Sequence, residues 1–203
     1  MTKQLEFKTN ILLENERVLL RPLVLEDYEF LLPYSINEPT LWQYSLTPAD
    51  GEANLKTYIK SAIDKRFNQD SYAFIIYDKL SKKYAGSTRF YDYQKTHNTV
   101  QLGYTWFGAE FWGKGLNQNC KYLMLSYAFD TLGIHRVELR ADKNNKRTIA
   151  AMKKLGCTQE GILRSNCADA SGGRRDSIIL SILKSEWDNN INTALKEKIA
   201  VNG

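Results

Sequence analysis

The segment Thr99–Asn117, TVQLGYTWFGAEFWGKGLN, changes its hydrophobic period partway along, and that change constrains the fold more than any other feature of the chain. Val100, Leu102, Tyr104 and Trp106 alternate, the mark of a strand with one buried face. From Gly115 onward Leu116, Cys120, Leu123, Met124, Tyr127, Ala128 and Leu132 recur at helical spacing, until Gly133 ends the run. A strand thus passes into an amphipathic helix through a turn that carries Gly113 and Gly115. Two glycines separated by one residue let backbone N–H groups converge on an anion, and the helix N-terminus adds about half a positive charge there. Such a turn suits a pyrophosphate, with Lys114 free to add a point charge. Taken alone, a Gly-x-Gly pair is equally what a plain tight turn would use.

Two nucleotide-binding alternatives fail on their own chemistry. Gly108–Lys114 fits GxxxxGK, but the next residue is Gly115 where a phosphate loop needs Ser or Thr to hold magnesium. A dinucleotide turn needs a third glycine, and Gln118 stands there instead.

The rest of the chain predicts an α/β domain with a mixed, mostly antiparallel sheet of about six or seven strands flanked by helices. Arg17–Leu23 reads as a first strand and Leu25–Ile36 as a helix. Thr47-Pro48-Ala49-Asp50 predicts a helix start, with Thr47 as cap and Pro48 at the first helical position, running to about Arg66. Tyr72–Tyr77, Lys83–Tyr93 and Thr99–Phe107 are strands joined by hairpin turns, and Gly103 suggests a bulge or a close approach by backbone or ligand. Val137, Leu139 and Ala141 make another strand. Asn145 caps a short helix that Gly156 terminates. Ile162–Asn166 and Asp176–Leu183 form a last hairpin across DASGGR, and Glu186–Ile199 is a helix or tail. With no repeat or linker, residues 1–203 read as one domain, with a core over about 17–187 and a tail at 188–203.

Composition limits the functional classes. With 43% hydrophobic and 25% charged residues the chain is globular, and no apolar window approaches the ~20 residues of a membrane span. The N-terminus lacks a signal-peptide core, so a cytoplasmic location is the expectation. Three widely spaced cysteines and two histidines, His97 and His135, offer no metal cluster. The net charge of +5 is interleaved rather than gathered in a stripe, which gives no sign of specific nucleic-acid binding.

The context of the glycine turn is more specific. Leu102-Gly103-Tyr104, Phe111-Trp112-Gly113-Lys114-Gly115, Asn145-Lys-Arg-Thr148, Lys154-Leu155-Gly156, Glu160-Gly161-Ile162-Leu163-Arg164, Arg175-Asp176 and Ser181-Ile182-Leu183…Glu186-Trp187 occur in this order. Together they resemble the GCN5-related N-acetyltransferases (GNAT), and among them the Rim-type branch of ribosomal-protein alanine/serine N-acetyltransferases, over nearly the whole chain. The resemblance implies acetyl-CoA as cosubstrate, no metal, and acetyl transfer to a primary amine, either a protein N-terminus (a ribosomal one included) or a small molecule. The alternative is an acyl-CoA-binding module with little turnover. A homodimer is the default assembly.

The resemblance also implies site residues. Gly113, Lys114, Gly115, Leu116 and Asn117 match the pyrophosphate loop. Trp106 and Phe107 would pair their backbone with the pantetheine arm, and Asn145 and Thr148 match the family's Asn-x-x-Ser, with Thr148 delivering a proton to the departing thiolate. The sequence departs from the family at Asn117, which replaces a small residue, and at Gln101, which stands where many relatives carry Glu. Gln101 can orient a water but accepts no proton. Asp92, Glu110, Glu160 and Asp169 are candidate bases, and the base is unassigned. Tyr104 is a further candidate near the reacting atoms, and Trp42 and Tyr44 are candidates to line the acceptor site.

Overall fold

The computed structural model describes residues 3–169 and 172–201, the side chain of residue 201 excepted. Its strands are β1 (Leu13–Glu14), β2 (Val18–Pro22), β3 (Ser71–Asp78), β4 (Lys83–Gln94), β5 (Thr99–Phe107), β6 (Arg136–Asp142), β7 (Thr158–Ala168) and β8 (Arg174–Leu183). The helices are α1 (Tyr28–Asn37), α2 (Gly51–Phe67), α3 (Leu116–Ser126), α4 (Lys146–Lys154), α5 (Lys184–Glu186) and α6 (Asn192–Val201). Among the described residues the strands form one eight-stranded sheet in the order β1-β2-β3-β4-β5-β6-β8-β7. That is one strand more than the upper end of the sequence expectation, because the two-residue β1 carries no period a sequence can show.

Every neighbouring pair is antiparallel except β5 and β6, which run parallel. Parallel neighbours need a crossover, and α3 supplies it. The β5–β6 ladder pairs only Thr99–Gln101 with Arg136–Glu138. Beyond Gln101 the two strands separate, so the β6-facing edge of β5 carries no strand partner over its second half.

Helices cover both faces. Ser87, Arg89 and Tyr91 of β4 project toward the α1/α2 face, where the Tyr58 hydroxyl of α2 meets Ser87 Oγ. Thr88 and Phe90 project the other way, toward α3, where Lys121 Nζ donates to Thr105 and Phe90 packs near Tyr127. β3 is buried along nearly its whole length, which is why Ser71–Asp78 reads as a continuous apolar run.

One local detail differs from expectation. α2 begins at Gly51 with Asp50 at the N-cap position and no side-chain cap; Thr47 instead donates its amide to Ser45 Oγ. The competing Ser45–Thr47 turn therefore ends the preceding segment before the helix starts. The bulge in β5 forms beside Gly103 as expected, centred on Tyr104, whose φ is 50°. The segment after β8 takes the helical form of the two expected, and it is docked. Trp187 is fully buried, stacks on Phe129 and donates Nε1–H to Asp130. The β7–β8 hairpin forms as expected, although Ala170 and Ser171 of its turn lie outside the described residues.

Candidate active site

The parallel pair places two helix starts at one end of the splayed strands, α3 after β5 and α4 after β6. Gly113 and Gly115 both adopt left-handed backbone, at φ 74° and 78°. This conformation costs an L-residue about 1–2 kcal/mol and costs glycine almost nothing. It turns the chain so that the amides of Gly113, Lys114, Gly115, Leu116 and Asn117 find no hydrogen-bond partner among the described residues, while Gln118 and Asn119 already bond to the Gly115 carbonyl. Lys114 is exposed beside them.

The α4 start is tied to this loop. Arg147 lies 3.6 Å over the Trp112 ring, a contact between the first turn of α4 and the glycine turn that no motif in the chain announces. Asn145 caps α4 by accepting the Thr148 amide at 3.1 Å, which leaves its side-chain NH₂ available. The Thr148 hydroxyl has no partner among the described residues. Free amides, left-handed glycines and two nearby cations fit a diphosphate, and an open strand edge fits an extended amide-bearing arm.

Trp106 and Phe107 lie on the half of β5 whose β6-facing edge has no strand partner. The Trp106 side chain is buried against Trp42, at 4.7 Å between ring centroids, and donates Nε1–H to Tyr58. Phe107 pairs with Gly86 of β4 on one side, and its carbonyl accepts the indole N–H of Trp112 at 2.9 Å. Trp42 is thus a packing residue, and Tyr44 offers its carbonyl to Arg175.

Gln101 is 7% exposed and donates to Asp92 at 2.7 Å. Level with it on β6 stands Glu138, which accepts from Arg136 and Arg140. The candidate bases separate by position. Glu160 is clamped by Arg136, which holds its carboxyl below the usual range, and also accepts from Ser181. Glu110 pairs with Lys83, and Asp169 accepts the Gly173 amide in the β7–β8 turn. Asp92 lines a cavity.

That cavity, of about 240 Å³, lies on the α1/α2 face against the bulge and is lined by Lys65, Asp70, Ser71, Arg89, Tyr91, Asp92 and Tyr104. Burial pushes the Tyr91 phenol well above the usual tyrosine value, so it remains a neutral donor. Arg89 lies over the rings of Tyr58 and Tyr104, at 5.0 and 4.3 Å. Burial alone would raise the Tyr58 phenol, but the Arg89 cation beside it leaves its pKa below the ordinary value. Sequence reading passed over Arg89. The one available signal was a lone cation among the residues Ala85–Phe90 of a strand interior.

Among the described residues no helix is long and apolar enough to cross a membrane, and no cluster of His, Cys, Asp or Glu could hold a metal ion. Residues 17–158 match the family model described as an acetyltransferase (GNAT) domain. The chain is 27% identical over 176 residues to the N-acetyltransferase p20 of Bacillus licheniformis, covering 86% of this chain and 97% of that one. It is also 27% identical over 180 residues to YdaF of Bacillus subtilis, named as a ribosomal N-acetyltransferase, with 86% and 95% covered. A solved structure described as an acetyltransferase from T. thermophilus superposes with a TM-score of 0.83 at 28% identity, covering 92% of this chain and 96% of the other. The chain belongs to the GNAT family of N-acetyltransferases and is an acyltransferase of that family.

Proposed function

We propose that the protein transfers an acetyl group from acetyl-CoA directly to a primary amine. The observation that carries this reading is the set of unpartnered amides of Gly113–Asn117 at the start of α3, opening onto the unpaired edge of β5. Bound acetyl-CoA supplies the acetyl thioester. The loop amides and Lys114 hold its diphosphate, Asn145 and the β5 edge at Trp106 and Phe107 hold the arm, and the Thr148 hydroxyl delivers a proton to the sulfur. An α-amino group has a pKa of about 7.7–8.0, so part of it is already neutral near pH 7 and the base need not be strong. Asp92, held by Gln101 and facing the cavity, is the proton acceptor we assign. The likeness to YdaF supports a protein N-terminus as one class of acceptor, and the small cavity supports a small molecule as another.

The test is calorimetry with acetyl-CoA, followed by thiol release with a panel of amines and mass spectrometry of the product. Failure to take up acetyl-CoA overturns the reading. A second reading, acyl-CoA binding with little turnover, is favoured by Gln101 standing in place of a carboxylate. Uptake of acetyl-CoA without amine-dependent thiol release would select it.

A further inference from the structure

Beneath the cavity beside the bulge lie buried polar atoms whose hydrogen bonds are unmade among the described residues. Arg89 is 2% exposed, and its Nε and Nη2 have no hydrogen-bond partner among the described residues. These two nitrogens form one edge of the guanidinium, the edge whose parallel N–H pair grips a carboxylate in two-point fashion. Ser71 lies beside it, since β3 pairs Ala73 with Arg89 and Ser71 with Tyr91 on the same face. Ser71 is 3% exposed, and its hydroxyl is also without a partner among the described residues.

Buried polar groups are nearly always satisfied, and a buried cation lacking a carboxylate within ion-pair distance is rarer still. The two tyrosine rings over which Arg89 lies offset part of its desolvation but leave the Nε–Nη2 edge unbonded. Tyr91, a neutral phenol, adds a further polar group to the lining. The opposite charge is also present: Asp92 and Asp70 line the same cavity, and Asp92 is the carboxylate tied to Gln101. With Arg89 and Lys65 as cations and Asp70 and Asp92 as carboxylates, the lining offers both charges to a ligand that is itself an anion at one end and an amine at the other.

Size narrows the class. A space of about 240 Å³ is below the ~300–1,000 Å³ typical of drug-sized ligands. A polyamine would meet Arg89 as a like charge.

We propose that the cavity takes a small amino acid, its carboxylate bound by the Nε–Nη2 edge of Arg89 and the Ser71 hydroxyl, and its amine directed toward Asp92. As an assignment of the acceptor it rests on the acetyl-transfer reading; as a binding site it does not. The amine then lies on the side of β5 where Tyr104 breaks the strand, next to the unpaired edge.

The experiment is saturation-transfer NMR with a mixture of the free α-amino acids, run against a mixture of their C-terminal amides, with and without CoA. The expected result is signal from one or more acids and none from the amides. Arg89→Met should weaken acid binding at least ten-fold, and Arg89→Lys, which keeps the charge but loses the edge, should weaken it less. Calorimetric uptake of CoA by each variant verifies that it is folded. If Arg89→Met does not fold, the acid-versus-amide contrast in the unaltered protein decides by itself. Equal signals from acids and amides, no signal from any acid, or unchanged binding by a folded Arg89→Met overturns the proposal. Acid binding without CoA uptake would sink the acetyl-transfer reading and leave the carboxylate site standing.

Discussion

Replacing Lys121 with Met is expected to stabilise the protein, and to do so in a way that pH erases. Lys121 lies on α3, 5% exposed, with Nζ donating to Thr105 at 2.6 Å and no carboxylate within ion-pair distance among the described residues. Burial pushes its ammonium down from 10.5 to about 8. At 1.36 kcal/mol per unit, the folded state at pH 7 carries a penalty of about 3 kcal/mol for holding that charge. The sign follows from proton counting. Between pH 8 and 10.5 the unfolded chain binds more protons at this residue than the fold does, so its penalty shrinks as pH rises and is gone above the unfolded value. Met fills a similar volume, and Thr105 keeps its hydrogen bond to Thr88. Urea unfolding of both proteins should therefore show Lys121→Met more stable by about 2–3 kcal/mol at pH 7, the gap closing toward pH 10.5. The buried thiols of Cys120 and Cys157, pushed up to about 12, lower stability over pH 9–12 in both proteins, and because Lys121 interacts with both of them the comparison is read between pH 7 and 9, where the gap already begins to narrow. A variant no more stable at pH 7, or a gap that does not narrow with pH, would refute the reasoning.

Gly113→Ala meets open space at its Cβ, so its cost is the left-handed backbone alone. About 1 kcal/mol taken from binding predicts roughly five-fold weaker acetyl-CoA by calorimetry, with Gly113→Asn affected less. Asp92→Asn should lower kcat/KM for the amine by about 10²-fold in a thiol-release assay while acetyl-CoA affinity stays within two-fold, at roughly the usual size of a general-base effect. Gln101→Glu places a second carboxyl at hydrogen-bond distance from Asp92, which raises the carboxyl pKa of the pair in the fold. Relative to the unaltered protein, that variant should lose stability as pH rises from 4 to 7, and denaturant titrations across that range check it. With Cys120 and Cys157 buried and Cys167 half-buried, a thiol reagent at pH 8 should label Cys167 in the folded protein and all three cysteines in urea.

Local chemistry made much of this protein legible in the sequence. The change of period at Gly115, the cap at Asn145 and the alternation in Thr99–Phe107 are each set by residues within a turn of one another, so they survive in one dimension. The glycine turn at Gly113–Asn117 is of the same kind, because consecutive amides need only two glycines and a helix start to converge. Tertiary structure decided the rest. The parting of β5 from β6 after Gln101 depends on where a parallel partner ends. The Arg147–Trp112 contact joins residues 35 positions apart across two helix starts. Arg89 looked like an ordinary cation on a strand, and only the packing of α2 over β4 buried it between two tyrosines with one edge unbonded. Hydrogen-bond satisfaction is a property of neighbours in space, and the sequence records those neighbours only where the chain also brings them close along its length.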